Sequence, residues 1–398
     1  MDYNKDIIVY DLETPEQCFL ASFYIRETGE WRDFLINAYQ NDLYLLLKFL
    51  DENKNKWFCG YNVLKFDGQV IEFILKNYSS WIDKSNLEIS YMISQFASEE
   101  IDKGNYSIHS TYKEYEFTYN QLDLPSIWHF FNENRRVSLK QLEFEMRAEN
   151  IENLEFELDQ TFSEEQVQDM IVYCHNDVTC TNQFLEYTIG NTDNELYKGK
   201  DKIKDREIIM KEVGLPCMNY DDVKIGAEWN KKDYMMLTGK RDFELKPQKV
   251  NYFYGKKYRD FFPKTVTFQT ENVKSFIKKL GQTTILNVKQ EFIVDLDKNL
   301  QGCIAKGGIH SREKERFIKP LEGSVYIQND IGSQYPNFIR KGEVYPKHLG
   351  KEWYEMIVAK IARRLHFKNL FKETKDPTYG SMQEMGKLSL NGGALTKI

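Results

Sequence analysis

Short β-branched and aromatic runs alternate along the chain with stretches whose apolar residues recur every three or four positions, a pattern of strands interleaved with helices and so of an α/β protein. Ile7-Ile8-Val9-Tyr10 reads as a buried strand that ends directly in Asp11-Leu12-Glu13-Thr14-Pro15. Over residues 68–78, Val70, Ile71, Phe73, Ile74 and Tyr78 keep helical spacing, which puts Asp67 at the helix start. Ser163-Glu164-Glu165-Gln166 is a capping-box pattern, and the helix it opens runs through Tyr173 and Asp177. Farther along, Val325-Tyr326-Ile327-Gln328-Asn329-Asp330 reads as a strand followed by a tight turn. Residues 352–371 form an amphipathic helical pattern with Trp353, Met356, Ile357, Ile361, Leu365 and Phe367 on its core face. Polar residues at 190–201, and Pro and Gly at 320–323, mark candidate boundaries.

Composition narrows the class. The 398 residues are 41% hydrophobic and 14% aromatic, enough for the ordinary cores of a soluble protein. At this length about two to four domains are expected. No apolar run approaches the ~18 to 20 residues that cross a bilayer. Residues 1–6 carry acids with no basic stretch ahead of an apolar one, so neither a signal peptide nor membrane association is expected. The six cysteines include no Cys-x-x-Cys pair, so neither zinc site nor disulfide framework is suggested and a cytoplasmic location is expected. A formal net charge of −7 argues against a protein that coats nucleic acid by charge. That average divides into −19 over residues 1–190 and +12 over residues 191–398, with basic clusters at Lys231-Lys232, Lys256-Lys257-Tyr258-Arg259, Lys278-Lys279 and Arg363-Arg364. Either solvated faces differ by chance along the chain, or an acidic half suited to cations is joined to a basic half suited to a polyanion.

Three elements of the acidic half carry chemistry. Side chains at i and i+2 of a strand share a face, so Asp11 and Glu13 project together, and two such carboxylates repel unless cations lie between them; an Asp-x-Glu after a strand is also commonly a solvated turn. Asp67 starts a helix; an acid there also serves as a cap. Tyr173 and Asp177 are four apart and lie on one helical face, a spacing that also suits a local hydrogen bond. Together, Asp-x-Glu (Asp11, Glu13), Asn-x-x-x-Phe-Asp (Asn62, Phe66, Asp67) and Tyr-x-x-x-Asp (Tyr173, Asp177) resemble the three motifs of the tyrosine subgroup of DEDD 3′-5′ proofreading exonucleases. Ser138-Leu139-Lys140-Gln141-Leu142-Glu143 is similar to the segment that precedes the third motif in family B DNA polymerases. The resemblance implies a ribonuclease-H-like domain over residues 1–190. In it Asp11, Glu13, Asp67 and Asp177 would hold two Mg²⁺ or Mn²⁺ ions, Tyr173 would orient the attacking water, and Thr14, Asn62 and Phe66 would contact the substrate. Phosphodiester hydrolysis at neutral pH needs an activated water and a neutralised leaving oxygen, which two cations ~4 Å apart supply. His175 falls on the wrong helical face and is read as a bystander.

The basic half resembles the same family. Gly307-Gly308-Ile309-His310 looks like its glycine-rich connector, and Asp330-Ile331-Gly332-Ser333-Gln334-Tyr335-Pro336 resembles polymerase motif A with Gln334 in place of Leu. By that resemblance Asp330 is a catalytic metal ligand and Tyr335 packs under the incoming sugar. Arg364 and Lys368 resemble the fingers pair that meets the triphosphate, and Lys387-Leu388-Ser389-Leu390-Asn391 matches the Lys-x-x-x-Asn core of motif B, after which Gly392-Gly393-Ala394 departs from the family's Ser-x-Tyr-Gly. Tyr220-Asp221-Asp222 precedes motif A and is rejected as the missing Asp-Thr-Asp motif. The expected division is residues 1–190 exonuclease, 191–320 connector, 321–350 partial palm and 351–398 fingers with incomplete motif B. The chain is thus expected to be the N-terminal part of a phage-like family B polymerase, located in the host cytoplasm if phage-encoded, that removes nucleotides from DNA 3′ ends and does not polymerise alone. The rivals are one subunit of a split polymerase acting on primer-template with a separate C-terminal polypeptide, and a catalytically silent DNA-binding remnant.

Overall fold

The computed structural model describes residues 1–105, 109–132, 136–148, 162–246, 255–261, 267–286, 291–297, 300–305, 308–312, 319–325, 327 and 334–390. The chain divides into two units, Met1–Leu245 with Tyr335–Ile398, and Lys246–Gln334.

In the first unit, β1 (Ile7–Glu13), β2 (Cys18–Ile25), β3 (Glu30–Asn37), β4 (Trp57–Gly60) and β5 (Asn120–Asp123) form one sheet in the order β3-β2-β1-β4-β5. β2 runs antiparallel to β1 and β3, whereas β1, β4 and β5 are mutually parallel. The β-branched start of β1 suits this central position, buried on both faces. Even-numbered Ile8, Tyr10 and Leu12 pack on one face against residues of α1 (Leu43–Glu52), α2 (Asp67–Asn77) and α3 (Asn86–Asn105). Odd-numbered Ile7 and Val9 pack on the other, with α4 (Leu124–Ile127), α5 (Leu139–Met146) and α6 (Glu164–Thr188). The strand does not stop at Tyr10. β2 continues the ladder through Asp11↔Ser22, Leu12↔Ala21 and Glu13↔Leu20, so both acids sit in a paired strand rather than in a turn.

At the end of β4 the backbone leaves no room for a side chain: a Cβ on Gly60 would lie 2.3 Å from Val63 Cγ1 and 3.0 Å from the Tyr10 carbonyl. Gly60→Ala should therefore destabilise the protein by ~1–3 kcal/mol through overpacking. A urea unfolding midpoint equal to that of the unaltered chain would contradict this reading.

α7 (Lys202–Val213) and α8 (Asp222–Thr238) follow a loop at 190–201 that closes on itself, Gly199 N–H donating to the Gly190 carbonyl at 2.8 Å. They join the sheet region through buried polar contacts. Asn219 accepts from Asp123 N–H at 2.8 Å and donates to the Gln121 carbonyl at 2.8 Å, while buried Arg206 donates to the carbonyls of Tyr220, Lys202 and Ile127 and pairs with Asp222 at 3.0 Å.

In the second unit, α9 (Glu271–Gln282) packs Phe276 and Leu280 against Tyr258, Phe292 and Val294. β6 (Phe292–Asp297), β7 (Leu300–Ala305) and β8 (Gly308–Arg312) make an antiparallel three-stranded sheet.

The chain then returns to the first unit with α10 (Gln334–Gly342), α11 (Lys351–Thr374) and α12 (Pro377–Leu388). Trp353, Met356, Ile357 and Ile361 are buried as their spacing requires, with Tyr234 of α8 in the same core. Leu365 is 45% exposed, because the core that covers the first turns of α11 does not extend to it. Lys360 reaches Asp233 at 2.8 Å and Asn230 at 2.7 Å on α8, and Asn230 donates to the Ser389 carbonyl at 2.8 Å. Among the described residues no helix is long and apolar enough to cross a membrane.

Candidate functional site

Strand alternation places Asp11 and Glu13 on the same face of β1 as Ile7 and Val9, the face that α6 covers. Ligand atoms of Asp11, Glu13 and Cys174 lie within 4.8 Å of one another. The Cys174 thiol is 3.7 Å from both the main-chain oxygen and Oδ2 of Asp11. From the opposite side Asp67, the first residue of α2, accepts the Leu12 N–H at 3.2 Å and is 2% exposed. Asp67 is not a helix cap; Phe66 holds that position and no side chain caps the helix. The capping box Ser163/Gln166 and the acids Glu164 and Glu165 in the first turn fix the start of α6, which brings Tyr173 and Asp177 to the cluster one turn apart.

The electrostatics follow from burial and crowding. Burial, then the charges of Asp67, Glu13 and Asp177, raises the Asp11 carboxyl well above the ordinary carboxylate range. Glu13 is pushed up to about 8 by burial and by Asp177 and Asp67. Asp67 rises to about 7 by burial, opposed by the backbone N–H groups it accepts from. The Tyr173 hydroxyl is also raised, by burial first and then by Asp177, Glu13 and Asp11, and so remains protonated at neutral pH. Burial raises the Cys174 thiol as well, which makes it a neutral neighbour of Asp11 rather than a thiolate. Converging carboxylates with an excess of negative charge form an oxygen-rich donor set that suits Mg²⁺ or Mn²⁺.

Among the described residues a cation of the chain, Lys140, reaches this cluster. Lys140 on α5 donates to Asp177 Oδ1 at 2.7 Å, stands 3.4 Å from Glu143 Oε1, and lies 4.5 Å from the centre of the Tyr173 ring. Glu143 is fully buried. Sequence reasoning assigned no role to Lys140, Glu143 or Cys174; the signal for the first two was their i, i+3 spacing in a segment already singled out.

The other candidate residues of the first half have less definite contacts. Thr14 is partly buried just beyond β1, and Phe66 packs partly buried against the core under α2. Asn62 adopts a left-handed conformation, φ +68°, which asparagine tolerates, and its buried Oδ1 has no partner among the described residues. His175 points away, stacked on Trp31 at 3.8 Å and 2.8 Å from Asp33.

In the second half, Asp330 and Asn391 lie outside the described residues, and Tyr335 is in the first turn of α10. Arg364, partly buried, faces Gly386 of α12 and lines a small cavity with Trp229, Lys360 and Arg363. Lys368 is exposed one turn farther, and Lys387 pairs with Glu384 at 3.6 Å. Asp221 caps α8 and bonds His129 at 2.7 Å, and Asp222 pairs with Lys202 and Arg206, so these two acids have structural partners.

No protein-family model matches the chain, and no curated protein does. Among solved structures the chain is similar to the family B DNA polymerase from the hyperthermophilic archaeon Pyrobaculum calidifontis, with a TM-score of 0.45 and 11% sequence identity. The likeness covers 97% of this chain and 46% of that one, so the chain spans about half the length of that protein.

Proposed function

We propose that residues 1–190 are a ribonuclease-H-like 3′-5′ exonuclease domain that acts on single-stranded DNA ends with divalent cations. We further propose that the chain as a whole is of the phage-like family B polymerase type, with residues 191–320 as connector, 321–350 as partial palm and 351–398 as fingers. The observation that carries the exonuclease reading is the pairing of Asp11 and Glu13 on one face of β1, with Asp67 of α2 bonded to Leu12 N–H, and with Asp67 and Asp177 near enough to raise both carboxyls. The strand order β3-β2-β1-β4-β5 with β2 alone opposed supports the fold assignment.

In this reading Asp11, Glu13, Asp67 and Asp177 hold the cations. When bound, Mg²⁺ or Mn²⁺ supplies an activated water and charge neutralisation at the leaving oxygen. Tyr173, kept neutral by its surroundings, offers a hydroxyl that orients the water. Tyr173→Phe should therefore slow hydrolysis by roughly 10²-fold through lost positioning, with cation binding intact. Equal rates for the two proteins would remove Tyr173 from the mechanism.

The experiment is incubation of the full chain with a 5′-labelled single-stranded oligonucleotide, with Mg²⁺, with Mn²⁺ and with EDTA. The expected result is metal-dependent shortening that EDTA abolishes. An intact oligonucleotide under all three conditions contradicts the proposal and leaves the silent DNA-binding remnant as the better description.

A further inference from the structure

Lys140 and Glu143 lie in the segment that precedes the third motif and have no role in the reading above, yet they sit against the cluster. They lie on adjacent turns of α5, and the Lys140 ammonium is shared: 2.7 Å from Asp177 Oδ1 and 3.4 Å from Glu143 Oε1. Its position over the Tyr173 ring, 4.5 Å from the centroid, adds a cation–π contact. Glu143 is fully buried, and its second oxygen, Oε2, has no hydrogen-bond partner among the described residues. A buried carboxylate oxygen without a donor is costly, and such groups in native proteins call for an explanation.

Resting on the exonuclease reading of this site, we infer that Lys140 and Glu143 form a counter-charge exchange device for the cation site at Asp177. With no divalent ion bound, the ammonium neutralises Asp177 and prevents repulsion among the four carboxylates. A divalent cation at Asp177 competes for the same carboxylate oxygen, and two positive charges on one carboxylate repel. The ammonium then shifts fully onto Glu143, which it already meets at Oε1 and whose Oε2 has no hydrogen-bond partner among the described residues. Glu143 is the receiver. Both are positioning residues: they act on the ions through Asp177.

Two substitutions and their combination separate exchange from simple charge. In calorimetric titrations of the full chain with Mn²⁺, Lys140→Met removes the competitor and should tighten binding about tenfold, and Glu143→Gln removes the receiver and should weaken it about tenfold. If Glu143 acts through Lys140, the double variant binds as Lys140→Met alone does; if both merely contribute charge, the two effects add. Binding by Lys140→Met that is unchanged or weaker, or a Glu143→Gln effect undiminished in the Lys140→Met background, overturns the inference. The unaltered chain gives an independent reading should a variant not fold. The reactivity of the Lys140 amine toward an acylating reagent, followed by mass spectrometry, should change about threefold or more between zero and saturating Mn²⁺; constant reactivity overturns the exchange. Absence of any Mn²⁺ binding to the unaltered chain is a different failure, that of the cation site itself.

Discussion

Replacing Asp11 by Asn together with Glu13 by Gln is expected to reduce oligonucleotide hydrolysis by ~10³-fold or more, a loss of ~4 kcal/mol of transition-state stabilisation. Both side chains leave the same face of β1, held in register by Ser22 and Leu20 of β2, so the amides keep the shape of the site and remove its charge. The fold should survive. Asp11 and Glu13 are each destabilised as carboxylates by burial and by their neighbours, and their neutral isosteres relieve that repulsion. Rates from single-turnover assays, with circular dichroism as the control, check the expectation. A well-folded double variant that hydrolyses at the unaltered rate would move the chemistry away from β1.

The second large effect is a coupling of stability to pH and to divalent cations. Glu13 and Asp67 bind protons more tightly in the folded chain, up to about 8 and about 7, than in the unfolded chain, where carboxyl groups release theirs near pH 4. Between those limits the folded state holds more protons, so stability in EDTA should fall as pH rises from about 5 to about 8. The raised carboxyls thus contribute instability at pH 8 that is absent at pH 4. Cations that bind only the folded state reverse it: at ~100 to 1,000 times the dissociation constant they add ~3–4 kcal/mol, or roughly 6–16 °C in melting temperature for a domain of this size. Thermal melts at pH 5 and pH 8, each with EDTA and with Mn²⁺, give the four values needed. A Mn²⁺ shift no larger at pH 8 than at pH 5 would contradict the coupling.

Much of this site was legible in the sequence because its parts are local. Asp11 and Glu13 are two apart on a strand, Tyr173 and Asp177 four apart on a helix whose capping box is visible as Ser163 and Gln166, and each spacing fixes a shared face. The extent of β1 was not legible, since pairing with β2 carries the strand through Glu13 despite two acids in its last three residues. Lys140 was hidden for a different reason. It lies 37 residues before Asp177, and only the packing of α5 beside α6 brings the ammonium to the carboxylate. Likewise the burial of Trp353, Met356, Ile357 and Ile361 followed from helical period, whereas the exposure of Leu365 depended on where the neighbouring core ends.

In the proposed function the carboxylates of β1, α2 and α6 serve one metal-dependent nuclease that works from the 3′ end. That function is tested most directly by a single reaction of the full chain with Mg²⁺ on a single-stranded oligonucleotide labelled differently at its two ends. Early loss of the 3′ label as a nucleoside monophosphate, with the 5′ label retained on a ladder shortening one nucleotide at a time, is the predicted result. Release of the 5′ label first, or both labels retained on full-length DNA, would contradict it.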